Sequence, residues 1–407
     1  MESRATFKNN IMNPKIFSLF LILIFASCIT PESNEKQISK ASLEALKTIE
    51  KLPKLLDRNE AIYNGNEWSN VQNNYGGFRQ QIIENKKPSE AKLKMAQLFT
   101  LEARITGEHG HYYPAALQLL NEILKGEKLD KDLNFRTLSL KSSVLLSQHE
   151  FQKALKIAQK AVELNPYNAQ IYGILTDAYL ELGDYEKAVA SADKMVSIRP
   201  DLRSYSRVSY LREIYGMETE AIEAMEMAVE AGFPGYEETA WAGLQLGQLY
   251  QKIGQMDKAK TQYLQILNER PNYPFATAAL AEIEIEKQNY PEAEKLLKEA
   301  CRVIPEVGFY EQLAHLYFKT GETEKAEKLI PEILAMLKDD IESGHNMNME
   351  YAAVYRDLVK DFDKALEYAL AEYELRPKNR DVNELIKSIY LEKGDSDLAG
   401  KYELASL

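Results

Sequence analysis

Five histidines and two cysteines carry the softest donor atoms in this chain of 407 residues. His109 and His111 stand together in Glu108-His109-Gly110-His111, while His149, His315 and His345 are scattered. Two imidazoles and a carboxylate could ligate zinc, but the spacing is unlike that of a helical or finger site. The stretch reads as a polar loop between helices, and the sequence points to no metal. Cys28 and Cys301 are too far apart for a disulfide framework or a metal cluster. Cys301 sits in an apolar helical context and reads as a small buried hydrophobe. There is no HExxH, no GxSxG and no glycine loop to cradle phosphate. Carboxylates at helical spacing lie beside lysines, as Glu322 and Glu324 do beside Lys325. Those are surface ion pairs, worth about a few tenths of a kcal/mol each. No catalytic constellation emerges, so the expectation is a non-enzymatic chain without a cofactor.

The bulk numbers agree. A hydrophobic content of 45% and a charged content of 28% describe a folded chain. The net charge of −12 argues against nucleic acid, because phosphate binding needs a concentrated basic face. Near the start, Ile16 to Ala26 is an apolar run, IFSLFLILIFA, flanked by Arg4, Lys8 and Lys15. A bilayer span needs about 20 such residues, so this is a signal-peptide core. Initiation at Met1 and at Met12 both fit. The following Phe25-Ala26-Ser27-Cys28 resembles the lipobox of bacterial lipoproteins, in which the cysteine is lipidated and becomes the first mature residue. Phe25 departs from the aliphatic residue usual there, and in an ordinary cleaved signal Cys28 would be incidental. The resemblance implies export to the cell envelope and a membrane anchor on Cys28. Ile29 is not the aspartate that retains enteric lipoproteins at the inner membrane, so the resemblance leans towards the outer membrane.

Behind these residues lies a long internal repetition. Asp184-Tyr185-Glu186-Lys187-Ala188 has relatives ending at Ala154, Ala259, Ala293 and Ala365, with weaker copies ending at Ala116, Ala221, Ala326 and Ala399. The spacings are 38, 34, 33, 38, 34, 33, 39 and 34 residues. Gly183, Gly216, Gly254, Gly321 and Gly394 recur where a first helix should close. Pro166, Pro200, Pro271, Pro305 and Pro377 recur where a second helix should stop. Small residues mark a close crossing at Ser142, Thr176, Gly247, Ala281 and Ala314, and tyrosines follow three residues later at Tyr179, Tyr250, Tyr317 and Tyr390. The long steps place extra loop residues near 126–134, 231–238 and 339–346. Ser42 to Leu56 and Trp68 to Ile83 are helical in pattern but less regular, as a cap should be.

A period of 34 with these marks resembles the tetratricopeptide repeat over roughly residues 95–407. The stretches RITGEHGHYYPAALQLL (104–120) and SYSRVSYLREIYGMETEAIEAMEMAVEAG (204–232) look like a bacterial exported tetratricopeptide family. The resemblance implies an all-α, right-handed superhelical solenoid of antiparallel helix pairs. The domain reading is a signal peptide at 1–27, a linker at 28–36, a helical cap or degenerate repeat at 37–94 and an array of about nine helix pairs at 95–407. It also implies a scaffold that binds a peptide or partner protein in a concave groove lined by first helices. Carried onto this chain, the groove comprises Arg136, Gln170, Asp177, Arg203, Tyr210, Trp241, Gln248, Phe275, Glu282 and His315. Trp241, Tyr210 and Phe275 are of the type that anchors interfaces, and Arg136 and Arg203 of the type that grips carboxylates. The bland alternative gives the aromatics to the repeat-to-repeat core and the charges to solvent. The alternative functions are a carbohydrate- or nutrient-binding outer-membrane lipoprotein and an enzyme with an unrecognised site.

Overall fold

The structure, a computed structural model, describes residues 50–126 and 129–403. The export segment, Cys28 and the linker lie outside the described residues. The chain divides into two compact units, 1–52 and 53–407. Of the first, only residues 50–52 are described, and Glu50 and Lys51 are helical. Everything below concerns the second.

That unit is all-α, with no strand among the described residues. A single helix, α1 (Glu67–Ile83), precedes nine antiparallel hairpins. They are α2 (Pro88–Thr106) with α3 (His109–Leu124), α4 (Lys131–Ser147) with α5 (Phe151–Leu164), and α6 (Ala169–Glu181) with α7 (Tyr185–Ile198). Next come α8 (Leu202–Ile214) with α9 (Glu218–Glu230), α10 (Glu237–Lys252) with α11 (Met256–Glu269), and α12 (Pro274–Glu286) with α13 (Tyr290–Val303). The last are α14 (Val307–Lys319) with α15 (Thr323–Glu342), α16 (Asn348–Val354) with α17 (Phe362–Leu375), and α18 (Arg380–Glu392) with the short α19 (Ser396–Ala399). No described helix is long and apolar enough to cross a membrane.

Each hairpin is built by the same local chemistry. The alanines of the 34-residue series all fall in second helices and are buried to the last atom or nearly so. They allow the two helices to cross closely, and Ser142 and Ser209 bond from the facing helix to the carbonyls of Ala154 and Ala221. The first helix ends on a left-handed residue: glycine at Gly183, Gly216, Gly254, Gly321 and Gly394, but His149, Gln288 and Lys360 at three equivalent turns. The next amide then reaches back five residues, as Asp184 N does to Tyr179 O at 2.8 Å, and this bond recurs in seven hairpins. Second helices stop two residues before Pro166, Pro200, Pro271, Pro305 and Pro377, since a proline cannot donate to the ladder. Tyr179, Tyr250 and Tyr317 each lie under a lysine ammonium from the following helix, at 5.0–5.4 Å.

The structure departs from the sequence pattern in several places: His109, Gly110 and His111, expected in a polar loop, open α3, and residues 131–134 of the loop expected at 126–134 open α4. The helical spacing expected to continue to Leu56 ends earlier, because Pro53 to Asn59 is irregular chain. Its backbone is occupied by side chains instead: Tyr75 and His111 bond the carbonyls of Pro53 and Lys54, and the Leu56 amide donates to the Tyr112 hydroxyl. Of the stretch expected to loop at 339–346, residues 339–342 extend α15, and the chain turns only at Ser343.

The hairpins wind so that early ones touch late ones. Gln148 and Asn346 share a backbone hydrogen bond of 2.9 Å, and Gln148 Nε2 donates to Ser343 O. Asn379 donates to Glu181 O, Arg380 N to the Tyr185 hydroxyl, and Asn272 to Ala61 O. These partners are 195 to 211 residues apart, so one superhelical turn spans about six hairpins of 34 residues. Successive turns are joined by direct bonds.

Candidate functional site

First helices line the inner surface. A cleft of about 440 Å³ opens where the two turns face each other. It takes Arg104 from α2, Ser143 and Ser147 from α4, Asp177 and Glu181 from α6, Arg207 from α8, Glu350 from α16 and Asp381 from α18. The turn residues His149 and Arg376 complete it. Asp177 and Arg207 form a bidentate pair at 2.8 and 2.6 Å. Arg376 bridges Glu181 on one turn and Glu372 on the other, with its guanidinium 4.7 Å over the Phe151 ring. Asn346 and Asn348 occupy the remaining Glu372 oxygen. The site is therefore a mixed-charge surface in which most charges already have a partner.

The residues read from sequence as groove-lining divide by role. Asp177 lines the central cleft, Tyr210 a neighbouring one of about 590 Å³, and Gln248 and Glu282 a third of about 450 Å³. Arg136 and Arg203 grip carboxylates of this chain itself. Arg136 holds Glu90 through two bonds and Asp132 through a third, and Arg203 holds Glu238. Phe275 packs between Trp241 and Phe309, at 5.7 and 5.2 Å, and joins the core of two hairpins. Trp241 is the open end of that row, 46% exposed. Gln170 and His315 are exposed at the start of α6 and in α14. Arg207 was legible on the same helical face as Arg203. Arg104, Arg376 and Asp381 were not, because only the winding brings them to the cleft.

Burial sets the electrostatics of this surface. The carboxyls of Glu181, Glu237, Glu282 and Asp381 all sit above their ordinary range, with desolvation the largest cause in each. The Glu311 carboxyl is pushed up to about 7 by burial, then by Glu350, Asp357 and Glu306 nearby. Because the folded value is raised, this group supports the fold at low pH and weakens it as pH climbs from 4.5 through 7. Glu311→Gln is expected to leave the melting temperature unchanged at pH 4.5 and to raise it by about 1–3 °C at pH 8. Equal melting temperatures at pH 8 would contradict the assignment.

One further cluster lies near the joint between turns. His109 Nδ1/Nε2, His345 and Asp340 bring their donor atoms within 4.8 Å of one another. Burial holds both imidazoles down to about 4, so each is neutral at pH 7, and pushes the Asp340 carboxyl up to about 6. Cys301 is a partly buried thiol packed against a core cluster, pushed up to about 12 by burial and thus unreactive.

Comparison with known proteins matches two segments, residues 145–212 and 244–306, to family models described as tetratricopeptide repeat. Small glutamine-rich tetratricopeptide repeat-containing protein 2 of Saccharomyces cerevisiae is 27% identical over 94 residues, 23% of this chain and 27% of that protein. Protein SGT1 homolog of Oryza sativa subsp. japonica is 27% identical over 97 residues, 24% of this chain and 25% of that protein. The chain thus spans about a quarter of the length of these curated relatives. A solved thermophilic tetratricopeptide protein of Thermus thermophilus is 20% identical, with a TM-score of 0.41, covering 48% of this chain and 99% of that one.

Proposed function

We infer that this chain, an all-α array of tetratricopeptide repeats, is a protein-interaction scaffold, as such repeats typically are. We propose that this scaffold holds a peptide segment of a partner protein along the inner surface of its superhelix, and that a lipid on Cys28 tethers it to a membrane of the cell envelope, the outer one in a two-membrane cell. The observation that carries the first part is the central cleft. Six hairpins contribute to it, and it offers guanidinium groups of Arg104, Arg207 and Arg376 beside carboxylates of Asp177, Glu181 and Asp381. A polypeptide, with donors, acceptors and side-chain charges of both signs, matches that lining better than a polyphosphate does. Tyr210 on α8, a cleft-lining helix, and Trp241 on the next first helix, α10, supply exposed aromatic surface. The second part is supported by IFSLFLILIFA and the Phe25-Ala26-Ser27-Cys28 that follows it.

Crosslinking in the native host followed by mass spectrometry would identify the partner. Tyr210→Ala with Trp241→Ala is then expected to lose it while melting as the parent does; co-purification of the intact complex would overturn the inner-surface reading. Cys28→Ser is expected to move the protein from the membrane to the soluble fraction, and persistence at the membrane would refute the anchor.

A further inference from the structure

His109, Asp340 and His345 come from opposite sides of the joint between turns. His109 is the first residue of α3, Asp340 lies in the last turn of α15, and His345 follows in the loop. His109 is more than 230 positions from the other two in sequence, yet a donor atom of each lies within 4.8 Å of the other two. We propose that these three side chains form a transition-metal site of the zinc type that clasps one superhelical turn to the next.

The second observation is the state of His345. It is only 7% exposed, and its Nδ1 faces the backbone carbonyl of Asp340 at 3.2 Å. That bond makes Nδ1 the protonated nitrogen and leaves a lone pair on Nε2. Nε2 is buried and has no hydrogen-bond partner among the described residues. Buried polar atoms without partners are rare, because the desolvation is not repaid. A carbonyl holding one ring nitrogen while the other is offered to a cation is the arrangement that fixes ligating histidines in metal sites. His109 is held by stacking on Tyr113, at 5.3 Å between centroids, and Tyr113 also flanks His345 at 5.5 Å. The two imidazoles are neutral, as ligands must be, and Asp340 is a carboxyl whose charge a cation would stabilise.

The donor set selects the metal. Two imidazoles and one carboxylate favour zinc, cobalt or nickel over magnesium or calcium, which prefer oxygen alone. Metal–donor distances of about 2.0–2.2 Å put tetrahedral donors roughly 3.3 Å apart, so the side chains close by at most about 1.5 Å on binding. Three protein donors leave a fourth position for water. His149 and Glu350 stand behind the site, with His149 Nδ1 3.6 Å from a Glu350 oxygen, and the buried second oxygen of Glu350 has no hydrogen-bond partner among the described residues.

The test uses the whole chain, stripped with a chelator and titrated with Co²⁺ alone. One equivalent is expected to bind with the strong visible absorption of four- or five-coordinate cobalt. Excess Zn²⁺ is expected to abolish that spectrum and to slow exchange of the Asn346 amide, which crosses the joint to Gln148. His109→Ala and His345→Gln should each weaken binding by more than the roughly 10–100-fold lost with an outer partner of a ligand. His111→Ala and His315→Ala should bind as the parent does, and far-UV circular dichroism should show every variant folded. Absence of the cobalt spectrum in the parent chain would overturn the site, as would binding that survives the loss of both His109 and His345. Binding with no change in Asn346 exchange would overturn the clasp.

Discussion

Replacing Arg58 with alanine is expected to destabilise the 53–407 unit by about 3–5 kcal/mol, read as a lower urea midpoint at constant slope. The Arg58 and Glu102 side chains are both 0% exposed and share two hydrogen bonds, of 2.8 and 2.6 Å. Arg58 also bonds Glu67 and the Ile62 carbonyl, and lies over the Trp68 ring. Glu67 in turn is held by Arg270, whose Nη1 reaches Gly235 O as well. The chain runs Glu102–Arg58–Glu67–Arg270, from α2 through the irregular N-terminal segment to the loop beyond α11. Truncating Arg58 strands Glu102 in a dry site, where it must bind a proton or draw in water. Arg58→Lys should recover only part of the loss, because an ammonium cannot make the two-pronged contact. Arg58→Met together with Glu102→Leu should recover most of it, since no charge is then left unpaired. A single Arg58→Ala change costing less than about 1 kcal/mol would show that the network is open to water.

Gly183→Ala should cost about 2–4 kcal/mol, against about 1 kcal/mol for Gly254→Ala. Both glycines close a first helix in the left-handed region, at φ +75° and +77°. They differ in what surrounds them. A β-carbon on Gly254 would meet nothing within 4 Å, while one on Gly183 would lie 2.3 Å from the Lys378 carbonyl oxygen, on the neighbouring turn. The backbone conformation accounts for the shared part of the cost, and the joint for the difference. The same substitution should speed exchange of the Arg380 amide, which donates to Tyr185 across that joint. Equal costs at the two glycines would mean that the turns separate without penalty.

What was legible in the sequence is what one hairpin settles alone. Ala188 between two crossing helices, Gly183 ending the first and Pro200 ending the second answer to neighbours fewer than about 20 residues away, so each leaves a mark at every period. The joints answer to neighbours about 200 residues away. Nothing about Arg376 near the end of the array announces Glu181, and nothing about His109 announces His345. The angle between successive hairpins decides which pairs meet, and that angle comes from many small packing differences spread through the helix interfaces. The groove residues fall between these cases. Their placement on first helices follows from the period, but Arg136 and Arg203 find their carboxylates, Glu90 and Glu238, in adjoining hairpins 46 and 35 residues away. Sequence alone could not tell a grip on a partner from a grip on the chain itself.

An open helical array behaves under load like a soft spring, lengthening as its pitch increases while each repeat stays folded. The bonds from Gln148 to Asn346, from Asn379 to Glu181 and from Asn272 to Ala61 tie adjacent coils at several points around the circumference. Tied coils cannot lengthen gradually. Pulled from its ends in an optical trap, the 53–407 unit should resist as a stiff body and then yield in one abrupt rupture when the ties fail together. A scaffold of that kind holds its inner surface at fixed dimensions until the force on it reaches a threshold.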